Sequence, residues 1–426
     1  MNLWTDFDNS HQPSEQTPAV GRTRRPTEQV VVSSLRHWLL SDYATPYCRS
    51  LAATRIFRRC YWVDALGIDT KVSGSINGTG EESNVQTGKS RKKDITQVVS
   101  PVLQPIVSLA QTLVQESKPI TLYGLILEAG SSRRKEGKAI QDGAVALIPK
   151  LVIPEESGIV HASWLEAAST LLTEIDQSPA IFLLNPFGHT LFRHEDLALL
   201  YQRAVPTEIL LLVSHKQVAT RLLAAQGSTD SAAALTALLR TDRWKTLSTK
   251  EEEMEIGIQR LLDLFVSSLQ RSLSLPIQRI RLPMQVRPAI VEMQPYTLIF
   301  ATKRQDSFVC MNDAVCLYHR RILEQSHRGV LAEEWFLAQQ QERLAEEHAQ
   351  LYQRMLQLGK AQRIRRWPDL RQKLLIAHFG QYTQHEYDAI MQQLLANGEA
   401  RCEWRRRTVE DMAGHIPGND DTLLWA

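Results

Sequence analysis

Residues 180–188 read Ala-Ile-Phe-Leu-Leu-Asn-Pro-Phe-Gly, an unbroken apolar run that ends in a turn. A strand with one wet face alternates apolar and polar side chains. A run of strand length with no polar position instead marks a strand buried on both faces. Pro186 lacks an N–H for a ladder and drives Asn185 into extended backbone, so the strand ends there. An amide and an aromatic ring then stand at its carboxyl edge, where open α/β sheets bind ligands. The same residues also suit a plain strand end with a tight turn.

Other segments fall into rhythm around this one. Tyr61-Trp62-Val63-Asp64-Ala65-Leu66-Gly67 reads as a first strand ending in an acid and a glycine. Residues 120–127 read as a second strand ending at Glu128, 159–162 as a weak third and 208–214 as a fifth. Near-helical spacing of Val31, Leu35, Trp38, Leu39, Leu51 and Ile56 predicts one or two leading helices. Ser100-Pro101 opens another helix, with proline at its first position. Further helices are expected over 164–175 and 194–203. Strands alternating with helices predict a parallel sheet built of right-handed crossovers. Residues 222–271 read as a mostly helical insert. Two later runs, 286–292 and 296–302, are separated only by Met293-Gln294-Pro295, which predicts an antiparallel hairpin with Pro288 at an edge. Five parallel strands finished by a hairpin describe the class I methyltransferase sheet, a Rossmann-like α/β fold.

Composition bounds the rest. A chain of 426 residues suggests two or three domains, and 43% apolar with 23% charged residues is globular. Residues 1–29, with Pro13, Pro18 and Pro26, read as a disordered arm, and 68–94 as a flexible insertion within a domain spanning 30–330. A helix over 331–359 ending at glycine reads as a strut, placing a linker at 331–362. Residues 363–426 then follow the order of a winged helix-turn-helix: helix, turn, a helix opened by the Thr383/Glu386 capping box, and a basic two-stranded wing. The wing's Arg401, Arg405, Arg406 and Arg407 are the candidate DNA contacts; contacts with protein alone are the other reading of this block. The net charge of +2 points to no partner by itself. Cysteines 48, 60, 310, 316 and 402 form neither a disulfide framework nor a zinc pattern, which fits a reducing cytoplasm. No apolar run reaches membrane-spanning length, and no metal site is expected.

Chemistry is sought at the strand ends. In a methyltransferase sheet, Asp64 and Gly67 would approach the amino-acid portion of S-adenosylmethionine and Glu128 its ribose hydroxyls. Asn185, Pro186 and Phe187 resemble the Asn/Asp-Pro-Pro-Tyr/Phe motif of amino methyltransferases, with the second proline absent and the ring one place early; in that motif an amide accepts from the target amine and a ring stacks on a flipped base. The other reading of these residues is a retained scaffold that does not bind the cofactor. His189, His194 and His215 read as surface residues. No phosphate-binding loop, zinc-protease motif or nucleophile elbow is present.

With these elements placed, the chain resembles a divergent three-Cys-motif partner protein over residues 30–330. Tyr61 to Gly67 stands for that family's Asp-x-Phe-Ala-Gly-Pro-Gly. Asn185-Pro186-Phe187-Gly188 stands for its Asp-Pro-Phe-Gly. Ser100-Pro101, Trp244, the 296–302 strand and Met311-Asn312-Asp313 also fit. The resemblance implies a bacterial methyltransferase-like protein with S-adenosylmethionine as cofactor, and a partner protein that itself bears the three-cysteine motif. Asn185 replaces the family's aspartate, and the glycine loop is eroded. Two functions follow as expectations: a methyltransferase-like protein acting on or bound to nucleic acid, or a non-catalytic adaptor that binds its partner and DNA.

Overall fold

The apolar run 180–184 becomes the centre of a seven-stranded sheet. The structure, a computed structural model, describes residues 28–66, 103–128, 156–273, 276–283, 285–286, 291–292, 296–327, 333–405 and 415–426. The expected features at 1–27, Gly67, 68–94, Ser100-Pro101, Pro288, 293–295, Arg406 and Arg407 lie outside these residues; Glu28 and Gln29, expected at the end of a disordered arm, instead open the first helix.

Strands β1 (Arg59–Ala65), β2 (Thr121–Leu127), β3 (Gly158–Val160), β4 (Ala180–Leu184) and β5 (Thr207–Ser214) run parallel. Next come β6 (Ile277–Leu282), the short pair β7 (Gln285–Val286) and β8 (Val291–Glu292), and β9 (Tyr296–Ala301). The sheet order is β3-β2-β1-β4-β5-β9-β6, and β9 is antiparallel to both its neighbours. A mixed α/β sheet, mostly parallel, is compatible with the expected Rossmann-like class.

Successive strand residues alternate between two apolar layers, as the pleat requires. Trp62, Ile181, Leu183, Leu210 and Leu212 face one cluster, and Val63, Phe182, Leu184, Ile209 and Leu211 face the other. The first layer comprises α1 (Glu28–Trp38), a π-helical turn at Leu39–Ala44, α2 (Thr45–Thr54) and α3 (Gln104–Gln115). The second holds α4 (Trp164–Glu174), α5 (His194–Tyr201), α6 (His215–Gly227), α7 (Thr229–Leu239) and α8 (Met254–Leu273). After β9, α9 (Gln305–His327) returns to the first layer.

The hairpin expectation needs correction. The strand beside β9 on its outer side is β6, not residues 286–292, with Ile277 opposite Ala301 and Leu282 opposite Tyr296. Residues 285–286 and 291–292 form a separate two-stranded ladder. β6 is an edge strand between both apolar layers: Ile277 is buried in one, Ile280 and Leu282 in the other, while Arg281 is exposed. That arginine content disguises it as a loop.

The C-terminal block comprises α10 (Glu333–Gln362), α11 (Trp367–Ala377), α12 (Gln384–Ala396), β10 (Ala400–Glu403) and β11 (Thr422–Trp425), the last two antiparallel. Thr383 and Glu386 make the expected capping box. α10 is not a bare strut: Leu351 and Met355 are fully buried in the cluster that also holds Trp38 and Tyr318. It also runs through Gly359, which lies against the ring of Trp425. That glycine makes room for an indole and does not end the helix.

Hydrogen bonds join α9 to this block. The buried Asn312 donates from Nδ2 to the Tyr382 carbonyl at 2.7 Å and accepts from the Gly380 N–H at 2.8 Å. Asp313 accepts from the Gln384 N–H at 2.8 Å, and Arg320 pairs with Glu386 at 2.7 Å. Burial opposes ionisation of Glu386, yet the Thr383 N–H, Arg320 and His348 outweigh it and hold the carboxyl down at about 2.

A second polar joint lies under the sheet. Glu208, fully buried near the start of β5, accepts from Ser307 Oγ at 2.6 Å and from Tyr43 Oη, on the π turn, at 3.3 Å. Burial pushes its carboxyl up to about 7, against the opposing hydrogen bonds.

Substitution tests both the indole contact and the buried acid. Gly359→Ala drives a methyl group into Trp425 and lowers stability in urea unfolding by about 1–3 kcal/mol; an unchanged midpoint would show that the packing there is loose. The folded value of Glu208 lies above its ordinary 4.5, so its contribution is complete below that pH and is lost as pH rises through about 7. Stability of the wild type relative to Glu208→Gln should therefore fall between about pH 5 and 8, by roughly 3 kcal/mol. A difference that stays flat with pH contradicts this.

Candidate functional site

Parallel register sets three predicted residues on one edge. Asp64 pairs with Ile126 on β2 and with Leu183 on β4, so Glu128 and Asn185 each lie two residues beyond the strand positions opposite Asp64. Adjacent strands are about 4.8 Å apart. The carboxyl ends of β2, β1 and β4 thus bring Asp64, Glu128 and Asn185 together, as the sequence predicts.

Asp64 is turned inward. It is 1% exposed and takes a bidentate ion pair from Arg36 on α1, with Nε at 2.6 Å and Nη2 at 3.1 Å. Its Oδ1 also accepts from the Leu66 N–H at 3.1 Å, fixing the start of the following loop. Fork-to-fork geometry of this kind is strong and directional. The acid therefore shapes the loop and anchors a helix. The Glu128 N–H donates to the Val160 carbonyl at 2.9 Å, so its backbone is held at the junction of β2 and β3.

Asn185 and Phe187 occupy a closed turn. Asn185 Oδ1 accepts from the Phe187 N–H at 3.1 Å, and its Nδ2 donates to Gln217 Oε1 at 2.8 Å. The Gly188 N–H donates to the Asn185 carbonyl at 3.2 Å, and the Phe192 N–H to the Pro186 carbonyl at 3.1 Å. One turn along α6 from Gln217, Arg221 donates to the carbonyls of Gly188 and, at 2.6 Å, His189. Phe187 is fully buried and meets Phe265 edge-on, with centroids 5.4 Å apart. In this arrangement the ring is core. The expectation that it stacks on a flipped base is corrected, because no face of it reaches the edge.

Sequence reasoning missed several residues here. Arg36 stands 28 positions before Asp64, a separation at which no local pattern links them. Gln217 and Arg221 were readable only as an i, i+4 polar pair facing the edge. The histidines at 194 and 215 were expected on the surface but are 3% and 2% exposed. His215 bonds Thr297 Oγ1 at 2.8 Å and sits 3.3 Å from Glu255, with burial pushing its pKa down. It ties α6 to β9 and α8, so the carboxylate that sequence spacing did not supply comes from α8.

Among the described residues no group of three His, Cys, Asp or Glu side chains is placed to hold a metal. No described helix is long and apolar enough to cross a membrane. Arg401 and Arg405 are exposed, on and just after β10, in a sheet separate from the carboxyl edge.

Of the residues expected to meet a nucleoside-bearing cofactor, Glu128 stands at the end of β2, and the oxygens of Asp64 are taken up by Arg36 and the Leu66 N–H. Comparison with known proteins finds no matching family model and no matching curated protein.

Removing Arg36 would leave Asp64 buried and unpaired. Arg36→Ala should cost about 3–5 kcal/mol in urea unfolding, with much of it recovered in the Arg36→Ala/Asp64→Asn double variant. A loss below about 1 kcal/mol would show that the pair is replaceable by water.

Proposed function

We propose that this chain is a three-Cys-motif partner-like protein with a class I methyltransferase-type fold, binding S-adenosylmethionine at the carboxyl ends of β1 and β2 and nucleic acid through a winged-helix C-terminal block. The observation that carries the reading is the strand order. A single reversed strand, β9, lies between β5 and β6 in an otherwise parallel sheet. This order supports a methyltransferase scaffold over a dehydrogenase one, and its carboxyl edge is the usual ligand site. When bound, the cofactor would supply an electrophilic methyl group. Glu128 would hold ribose hydroxyls, and Asp64 would set the backbone of Leu66 where the amino-acid portion lies. The Thr383–Glu386 cap, α12 and the antiparallel wing support the winged-helix reading.

A second reading, the non-catalytic adaptor that joins a partner protein to DNA, draws on a specific observation. The Asn185 amide is spent on its own turn and on Gln217, and Phe187 is packed in the core. An amide acceptor and a stacking ring for a target base are both committed elsewhere. Phe187 is therefore not free to grip a methyl acceptor.

Isothermal titration with S-adenosylmethionine separates the two. The first reading expects micromolar binding, weakened roughly 10- to 100-fold in Glu128→Ala, the loss of hydrogen bonds to a charged acceptor. No binding at millimolar ligand, by protein shown to be folded, leaves the adaptor.

A further inference from the structure

The connector between α10 and α11 carries three exposed arginines, Arg363, Arg365 and Arg366. Its inward residues, Ile364 and Trp367, are buried. The backbone is held from several sides. The Ile364 N–H donates to the Gly359 carbonyl at 3.2 Å, Trp425 Nε1 donates to the Ile364 carbonyl at 2.7 Å, and the Leu423 N–H donates to the Arg365 carbonyl at 2.7 Å. Leu423 is opposite Cys402 in the β10–β11 ladder, yet its N–H is used by the connector. The connector therefore runs along the edge of β11 away from β10, about two strand spacings, roughly 10 Å, from the Arg401 strand. Arg363 holds a left-handed φ of 49°, a conformation that a non-glycine residue keeps where its surroundings fix it.

Charge is unevenly placed on this block. α12, the helix a winged helix presents to a groove, has no Lys or Arg and carries Glu386 and Asp388. Nearby cations are already used: Lys360 pairs with Glu399 and Arg371 with Asp388. No carboxylate among the described residues pairs with Arg363, Arg365 or Arg366. Three exposed guanidiniums with no carboxylate partner among the described residues, on a fixed backbone, suit phosphate oxygens, which guanidinium groups grip in bidentate fashion.

We propose that the Arg363–Arg365–Arg366 connector, with Arg401 beside it, is a phosphate-contacting strip for duplex DNA, and that it supplies more of the attraction than α12 does. The strip rests on the nucleic-acid reading above and gives that reading a surface. Binding through it is backbone contact without base readout, so it is salt-dependent and tolerant of sequence.

The test measures affinity of the full chain for a duplex of arbitrary sequence across a salt series. Three proteins are compared: wild type, the Arg363→Gln/Arg365→Gln/Arg366→Gln variant, and the corresponding triple Lys variant. Each phosphate left without its guanidinium should lower the steepness of log affinity against log salt by about 0.9, so the Gln variant should be shallower by about 2 to 3. The Lys variant should keep the wild-type slope, which separates loss of charge from loss of fold. A Gln variant that keeps the wild-type slope overturns the strip while leaving the nucleic-acid reading standing. Wild type that fails to bind duplex DNA at low salt overturns both.

Discussion

A buried bidentate ion pair, Arg36 with Asp64, governs how the front of the molecule is put together. A carboxylate at the end of a central strand is expensive to bury alone, so something must meet it. Here the partner comes from the first helix. That pairing lays α1 along the sheet, and the π turn that follows carries Tyr43 to Glu208 at the far end of β5. The helix then packs with α9, and α9 holds the C-terminal block through Asn312, Asp313 and Arg320. One charge at a strand end is thus continuous, through packed side chains, with the placement of α11 and α12.

The carboxyl edge divides into two parts with different chemistry. Around β4 the Asn185 amide and the carbonyls of the Asn185–Gly188 turn have partners within the protein, and Gln217 and Arg221 of α6 lock it from outside. Such a turn is rigid and offers little to a substrate. Around β1 and β2 the arrangement is different: Asp64 sets the backbone, and Glu128 stands at the rim. Structural closure describes the first part, and the proposed cofactor site lies at the second.

Much of this was legible in the sequence because burial on two faces leaves an unmistakable pattern. The unbroken apolar runs at 61–63, 180–184 and 209–213 lie in the parallel centre of the sheet. The Thr383/Glu386 cap was equally plain, since a capping box is a local device. What the sequence hid depends on distance or on charge within an edge strand. β6 mixes three apolar residues with two arginines: Ile277 packs on one face of the sheet and Ile280 and Leu282 on the other, while Arg281 is exposed. Gly359 looked like a helix stop because its reason, the Trp425 ring, lies far along the chain. His194 and His215 looked like surface residues because nothing local marks a histidine whose surroundings come from other helices and strands. Phe187, beside a proline and a glycine, had the sequence of an exposed ring and the packing of a core one.

Amide hydrogen exchange with and without S-adenosylhomocysteine reads the cofactor edge residue by residue. If the ends of β1 and β2 cradle the nucleoside, amides through Leu66 and around Glu128 become slower to exchange, while the Asn185–Gly188 turn, already closed on itself, stays as it was. Exchange unchanged at both strand ends under saturating ligand, or protection confined to the Asn185 turn, would contradict that placement.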